Sequence, residues 1–212
     1  SLVAEGKSAV EIYEALAVDD IKNAADVLYP VYEGSDGLDG YVSLELSPLL
    51  AHDTAATVRE ARRLWEALDL ANVMIKVPAT PEGIPAIEEL IAAGINVNAT
   101  LMFSLADYEA VAQAYVRGIR RSEDPQRIAS VASFFVSRVD NSTDAELDKI
   151  GTAEALALRG KAAVANAKLA YERYLEIFDG ADFADRDNVL VTTLDLLDSE
   201  SITAAVADGT QR

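Results

Sequence analysis

The sequence predicts an α/β fold in which parallel strands, each followed by a helix, curve toward an eight-stranded barrel. Three observations carry this. Short, nearly continuous apolar runs alternate strictly with longer amphipathic ones, as strands buried on both faces and covered by helices do. Polar residues interrupt four of the apolar runs, as expected where barrel strands turn active-site groups inward at their C-terminal ends. No glycine-rich fingerprint of the kind that cradles a dinucleotide follows a first strand, which lowers the alternative of an open, doubly wound sheet. The 212 residues, half of them apolar, suit a single domain over 1–212, with the placement of 188–212 left open.

The elements follow in order. Apolar positions recur at helical spacing from Ala9 to Leu28, through Ile12, Leu16, Ile21, Ala24 and Ala25, so the chain opens with a helix. Tyr41-Val-Ser-Leu-Glu-Leu-Ser reads as the first strand. Asp53 and Thr54 are N-cap candidates for an amphipathic helix through Val58, Ala61, Leu64 and Leu68. A second strand covers Asn72 to Val77. Thr80-Pro-Glu-Gly supplies turn and cap for a helix from Ile84 to Ala93 that stops at Gly94. Ile95 to Phe103 is the third strand, followed by a helix from Ala106 to Arg120 and the polar turn Ser122-Glu-Asp-Pro-Gln. A fourth strand is expected from Ile128 to Val139 and a long alanine-rich helix from Ala153 to Phe178.

Composition narrows the chemistry. With no cysteine and a single histidine, His52, neither thiol catalysis nor an ordinary zinc site is expected. No apolar run is long enough to span a membrane and no basic-then-apolar leader opens the sequence, so a soluble, cytoplasmic protein is expected. Thirty-six acidic against eighteen basic residues give a formal charge of -18, which repels nucleic acid and acidic lipid. A phosphorylated ligand would need a local cation to overcome that field.

The polar residues inside apolar strands are Ser43 and Glu45, Lys76, Asn98 and Thr100, and Ser133 with Arg138. Lys76 is the sharpest, being flanked by Met74, Ile75 and Val77. Desolvation there would favour the neutral amine, a nucleophile toward carbonyl carbon. The competing reading is a lysine that snorkels from the strand end or pairs with Glu45. Glu45 shares a strand face with Ser43 and could move protons through water, or serve only as that partner. Asn98 and Thr100 share a face by the same period and suit a water or a sugar hydroxyl, but also fit a structural hydrogen-bonding role. Arg138 could grip a phosphate through its planar fork, or pair with Asp140 or Asp144.

Four motifs in fixed order resemble the transaldolase family: Gly40-Tyr-Val-Ser-Leu-Glu-Leu-Ser-Pro, Asn72-Val-Met-Ile-Lys-Val-Pro-Ala-Thr, Gly94-Ile-Asn-Val-Asn-Ala-Thr-Leu-Met-Phe-Ser and Ala129-Ser-Val-Ala-Ser-Phe-Phe-Val-Ser-Arg-Val-Asp. The resemblance covers roughly residues 8–178 and is closest to the bacterial branch that includes transaldolase fused to glucose-6-phosphate isomerase. It implies a (β/α)8 barrel of the pentose phosphate pathway that needs no cofactor or metal. Such an enzyme moves a dihydroxyacetone unit from sedoheptulose 7-phosphate to glyceraldehyde 3-phosphate, giving erythrose 4-phosphate and fructose 6-phosphate. Carried over by position, Lys76 forms the Schiff base, Glu45 and Thr100 position the catalytic water, Asn98 and Ser133 contact substrate hydroxyls, Phe135 walls the site and Arg138 binds phosphate.

The sequence also departs from the family. Neither its Thr-Ser-Asn-Pro segment nor its Trp-Ala-Ser-Thr segment occurs, so the barrel is expected to be incomplete or circularly rearranged. Leu194-Asp195, Leu197 and Ser201-Ile202 resemble the family's N-terminal strand and helix, which would put Asp195 on the catalytic aspartate. Alternatively, Asp208-Gly-Thr-Gln-Arg stands where the family has Gly-Ala-x-x-Gln-Arg. A fructose 6-phosphate aldolase would use the same lysine, and a silent barrel lobe or interaction module would keep the motifs without the activity. Exposed strand edges would then be covered by a second copy or by a fused isomerase domain.

Overall fold

The computed structural model describes residues 3–178 and, as backbone, Val191–Leu194. Helix α1 (Ala9–Gly34) starts at a capping box in which the Ser8 hydroxyl accepts from the Glu11 amide while the Glu11 carboxylate accepts from Ser8 N–H. Strands β1 (Val42–Glu45), β2 (Val73–Pro78), β3 (Val97–Met102) and β4 (Ser130–Phe134) alternate with helices α2 (Thr54–Leu68), α3 (Gly83–Ala92) and α4 (Leu105–Arg121). Asp53 caps α2 by accepting from Ala56 N–H at 2.8 Å, as its sequence position predicts. After β4 come α5 (Ser137–Ile150), the short α6 (Ala153–Leu156), α7 (Ala162–Phe178) and β5 (Val191–Leu194).

The five strands form one parallel sheet in chain order, β1-β2-β3-β4-β5. A doubly wound sheet reverses its strand order at a switch point, and no reversal occurs among the described strands. With right-handed crossovers this order puts α2, α3 and α4 on the same side of the sheet. Leu44, Val73, Ile75, Val77, Val97 and Ala99 face those helices and are sealed by Ala61, Leu64 and Leu68 of α2, Ile87, Leu90 and Ile91 of α3, and Val111, Tyr115 and Ile119 of α4. The fold is therefore α/β of barrel type, and the described strands form an arc of it. The alternate residues, Ser43, Glu45, Met74, Lys76, Asn98, Thr100 and Ser133, occupy the concave face.

Three sequence expectations are corrected. The fourth strand does not run to Val139. It ends at Phe134, Val136 adopts a helical φ of -111° and ψ of -58°, and α5 begins at Ser137. Arg138 thus stands in the first turn of a helix rather than inside a strand. The long helix after Ala153 is two helices, because Gly160 takes a φ of +66° between them. The opening helix runs on through Pro30 to Gly34. The residue 191–194 segment joins the sheet beside β4, whereas Asp195 and the rest of the C-terminal stretch lie outside the described residues.

Candidate active site

Parallel pairing sets the site. Glu45 of β1 is in register with Lys76 of β2, and Lys76 with Asn98 of β3, so three polar side chains stand in one row across the concave face. Adjacent strands lie about 4.8 Å apart, which puts the chemistry of three strands within reach of one small molecule. Met74, the previous inward residue of β2, is fully buried and gives Lys76 an apolar floor, while Lys76 itself is half-buried. Among the described residues the Lys76 side chain has no ion pair or hydrogen bond, so the reading in which Glu45 neutralises it is not what the fold adopts. Glu45 is exposed at the strand end.

A hydrogen-bonded chain crosses the face beside this row. Ser133 of β4 donates its hydroxyl to Asn98 Oδ1 at 2.7 Å, and Asn98 Nδ2 donates to Ser43 Oγ of β1 at 3.1 Å. Asn98 thus reaches over β2, as barrel interiors allow, since alternate strands fill a common layer. Thr100, two residues along β3 and 1% exposed, keeps its hydroxyl oxygen buried without a partner among the described residues. Such an orphan costs about 1–3 kcal/mol unless water or a ligand satisfies it. Directly after it, Leu101 takes a φ of +60° and the β3–β4 register slips between Ala99 and Met102. A bulge of this kind re-aims side chains at a strand end and recurs beside functional sites.

The rim carries the cation. Phe135 N–H donates to Met102 O at 2.9 Å, fixing the end of β4 to β3, and the Phe135 ring packs on Phe103 with centroids 5.2 Å apart. The Arg138 guanidinium lies 4.8 Å over the Phe135 ring centre. The carboxylates that compete for it are otherwise engaged. Asp140 Oδ1 accepts from Ala163 N–H, and Asp144 accepts from Gly160 N–H and lies within ion-pair range of Arg159. Arg138 is exposed and without an ion pair among the described residues, so its five donors remain available to an anion.

Two loops lock the end of β2 to that of β1. Thr80 Oγ1 donates to Ala51 O at 2.6 Å and accepts from Gly83 N–H at 2.9 Å, while Thr54 Oγ1 donates to Glu82 O at 2.7 Å. His52 approaches the Glu82 carboxylate at 3.2 Å, and that hydrogen bond holds the carboxyl below its ordinary pKa. Gly83 is needed here, because a Cβ would lie 1.9 Å from Pro78 O.

A cavity of about 430 Å³ opens at the other end of the strands, lined by Tyr32, Tyr41, Trp65, Asn96 and Arg127. It lies where the chain enters the sheet, the end at which barrels place stability rather than chemistry. The polar row and Arg138 lie at the strands' C-terminal end.

The chain matches the pattern of the family described as Transaldolase/Fructose-6-phosphate aldolase over residues 1–207. It is 57% identical over 175 residues to a transaldolase of Thiobacillus denitrificans, covering 81% of this chain and 49% of that protein. A transaldolase of Thermobifida fusca is 54% identical over 184 residues, 85% of this chain and 50% of the relative. One of Mycolicibacterium smegmatis is 50% identical over 187 residues, 86% and 50% respectively. The chain belongs to the transaldolase/fructose-6-phosphate aldolase family. It spans about half the length of the curated relatives it matches.

Within this family member, the structure gathers Glu45, Lys76, Asn98, Thr100 and Ser133 on one face, with Phe135 and Arg138 at its rim. Asp195 lies outside the described residues. Sequence reasoning left Ser43 out of the site although it marked the residue as polar, and missed Phe103 and Leu101 altogether. An aromatic at the end of an apolar strand was a signal for Phe103. A positive φ at leucine leaves none.

Proposed function

We propose that this chain carries the Schiff-base machinery of a transaldolase, transferring a dihydroxyacetone unit between sugar phosphates. The observation that carries the reading is the lysine itself: Lys76 stands on the concave face without a counter-ion among the described residues, in one row with a carboxylate and an amide. Its amine adds to the C2 carbonyl of a ketose phosphate, and loss of water from the carbinolamine gives the iminium. The C3–C4 bond then breaks, its electron pair passing to the iminium nitrogen to form an enamine, as the C4 hydroxyl loses its proton and an aldose phosphate leaves. Glu45 takes and returns protons through a water held by the Thr100 hydroxyl. The enamine adds to an acceptor aldehyde, and hydrolysis frees Lys76.

Asn98 and Ser133 hold the donor's hydroxyls, Phe135 walls the site and Arg138 binds the phosphate against the overall field of the acidic chain. Asp195 serves as the second carboxylate. The reaction is confined to side-chain chemistry, without metal or organic cofactor. The site works in the cytoplasm, where its substrates are dissolved, and the chain's partner is a second copy or a fused isomerase domain. No helix among the described residues is long and apolar enough to cross a membrane. The test is a coupled assay with fructose 6-phosphate as donor and erythrose 4-phosphate as acceptor. Glyceraldehyde 3-phosphate released only when the acceptor is present supports transfer. Equal release without acceptor would make the chain an aldolase, and release that survives Lys76→Met would remove the lysine from the chemistry.

A further inference from the structure

We infer that Ser43 is a positioning residue of this site, holding the plane of the Asn98 amide so that its remaining N–H and lone pair stay aimed at a sugar beside Lys76. The inference rests on the Schiff-base reading above and adds a residue to it. An asparagine amide turns on a broad two-fold torsion, so one hydrogen bond leaves it free to pivot. Ser133 supplies one tether, its hydroxyl meeting Oδ1 at 2.7 Å from β4. The second comes from the opposite side: Ser43 Oγ accepts from Nδ2 at 3.1 Å across β2. Two tethers on strands that flank β3 at different distances fix the torsion, where either alone would not.

The placement argues that this arrangement serves the site rather than the core. The helix-facing side of the sheet is a continuous apolar core, whereas Ser43, Asn98 and Ser133 lie together on the concave side beside the Lys76 row. Asn98 is 6% exposed and Ser133 1%, so water cannot readily replace a lost partner of the amide. A serine on a concave strand face that already places Met74 as a buried neighbour has no packing duty that alanine would fail. Its hydroxyl is what matters.

The experiment is borohydride trapping of the wild type, Ser43→Ala and Ser43→Thr with fructose 6-phosphate, read by intact mass as a function of sugar concentration, with melting temperatures recorded alongside. Loss of one hydrogen bond that orients a binding group predicts a half-saturating concentration about three- to tenfold higher for Ser43→Ala, at an unchanged maximal adduct. Ser43→Thr keeps the hydroxyl and recovers most of the shift. If alanine disturbs the fold, Ser43→Cys, whose thiol accepts only weakly, gives the same comparison. Half-saturation equal to wild type in a folded Ser43→Ala overturns the inference while leaving Lys76 in place. If the wild type itself forms no adduct, the functional reading has failed instead. The side-chain amide resonances of Asn98 then decide: a shift of both N–H signals in Ser43→Ala upholds the tether, and unmoved signals refute it.

Discussion

Replacing Gly83 by alanine should damage the site and the fold together, and the structure sets the size of the effect. The added Cβ would fall 1.9 Å from Pro78 O and 2.9 Å from Thr80 Oγ1. The first is more than an ångström inside any ordinary carbon–oxygen contact, and the obstacle is backbone that cannot rotate away. Either α3 or the end of β2 must move by about that ångström. Overpacking of this severity costs about 3 kcal/mol, offset by up to about 1 kcal/mol from the lower chain entropy of alanine when unfolded. A net loss of about 2 kcal/mol lowers the melting temperature by roughly 4–8 °C in a chain of this size. Since Pro78 follows Lys76 by two residues, the same movement displaces the amine, and an ångström of misplacement costs on the order of 100-fold in rate. Gly118→Ala is the control. Its Cβ would crowd Glu88 O and Ile91 at 2.8 Å between α3 and α4, remote from the concave face. It should lower the melting temperature comparably and leave the trapping rate per folded molecule intact. Thermal melts and borohydride trapping of both variants are the assay. A Gly83→Ala protein with wild-type stability and trapping would refute the claim that this contact holds the lysine strand.

Two further outcomes follow from single groups. Thr100→Val removes a buried hydroxyl that has no partner among the described residues, so it should raise stability by about 1 kcal/mol in denaturant melts while lowering turnover at least tenfold, the opposite signs marking a group kept for chemistry. Glu60 is held below its ordinary carboxylate range chiefly by the Arg63 hydrogen bond. A depressed folded pKa means that its contribution is present above the unfolded value and lost as pH falls through the folded one. Melting temperatures measured from neutral to about pH 3 should therefore fall less steeply in Arg63→Met than in the wild type; parallel acid limbs would show that the pair is silent.

The strands and first helices could be read from the chain because their signals are local. Val73 to Val77 is an apolar run broken only by Lys76, Asp53 is an N-cap by residue type, and Gly94 ends α3 with a φ of +80°. Helix α5 could not be read this way. None of its residues is buried and Val139 is only partly so, which leaves Ser137–Ile150 with little burial to mark it, and its first residues read as an extension of β4. That error left Arg138 in a strand, although its place over Phe135 at the rim depends on a helical first turn. The inward set was legible from period two alone. Which of its members touch was not, because the Ser43–Asn98–Ser133 chain depends on the curvature that lets β3 reach across β2 to β1. The bulge at Leu101 had no sequence mark, since its strain is held by the β4 pairing and not by a glycine.

The most direct test of the account is the mass of the chain after incubation with fructose 6-phosphate and borohydride, followed by peptide mapping. The account predicts a reduced three-carbon or six-carbon adduct on the peptide containing Lys76, absent from a folded Lys76→Ala variant. An adduct on another lysine, or none on wild-type protein with a cooperative melt, would contradict it.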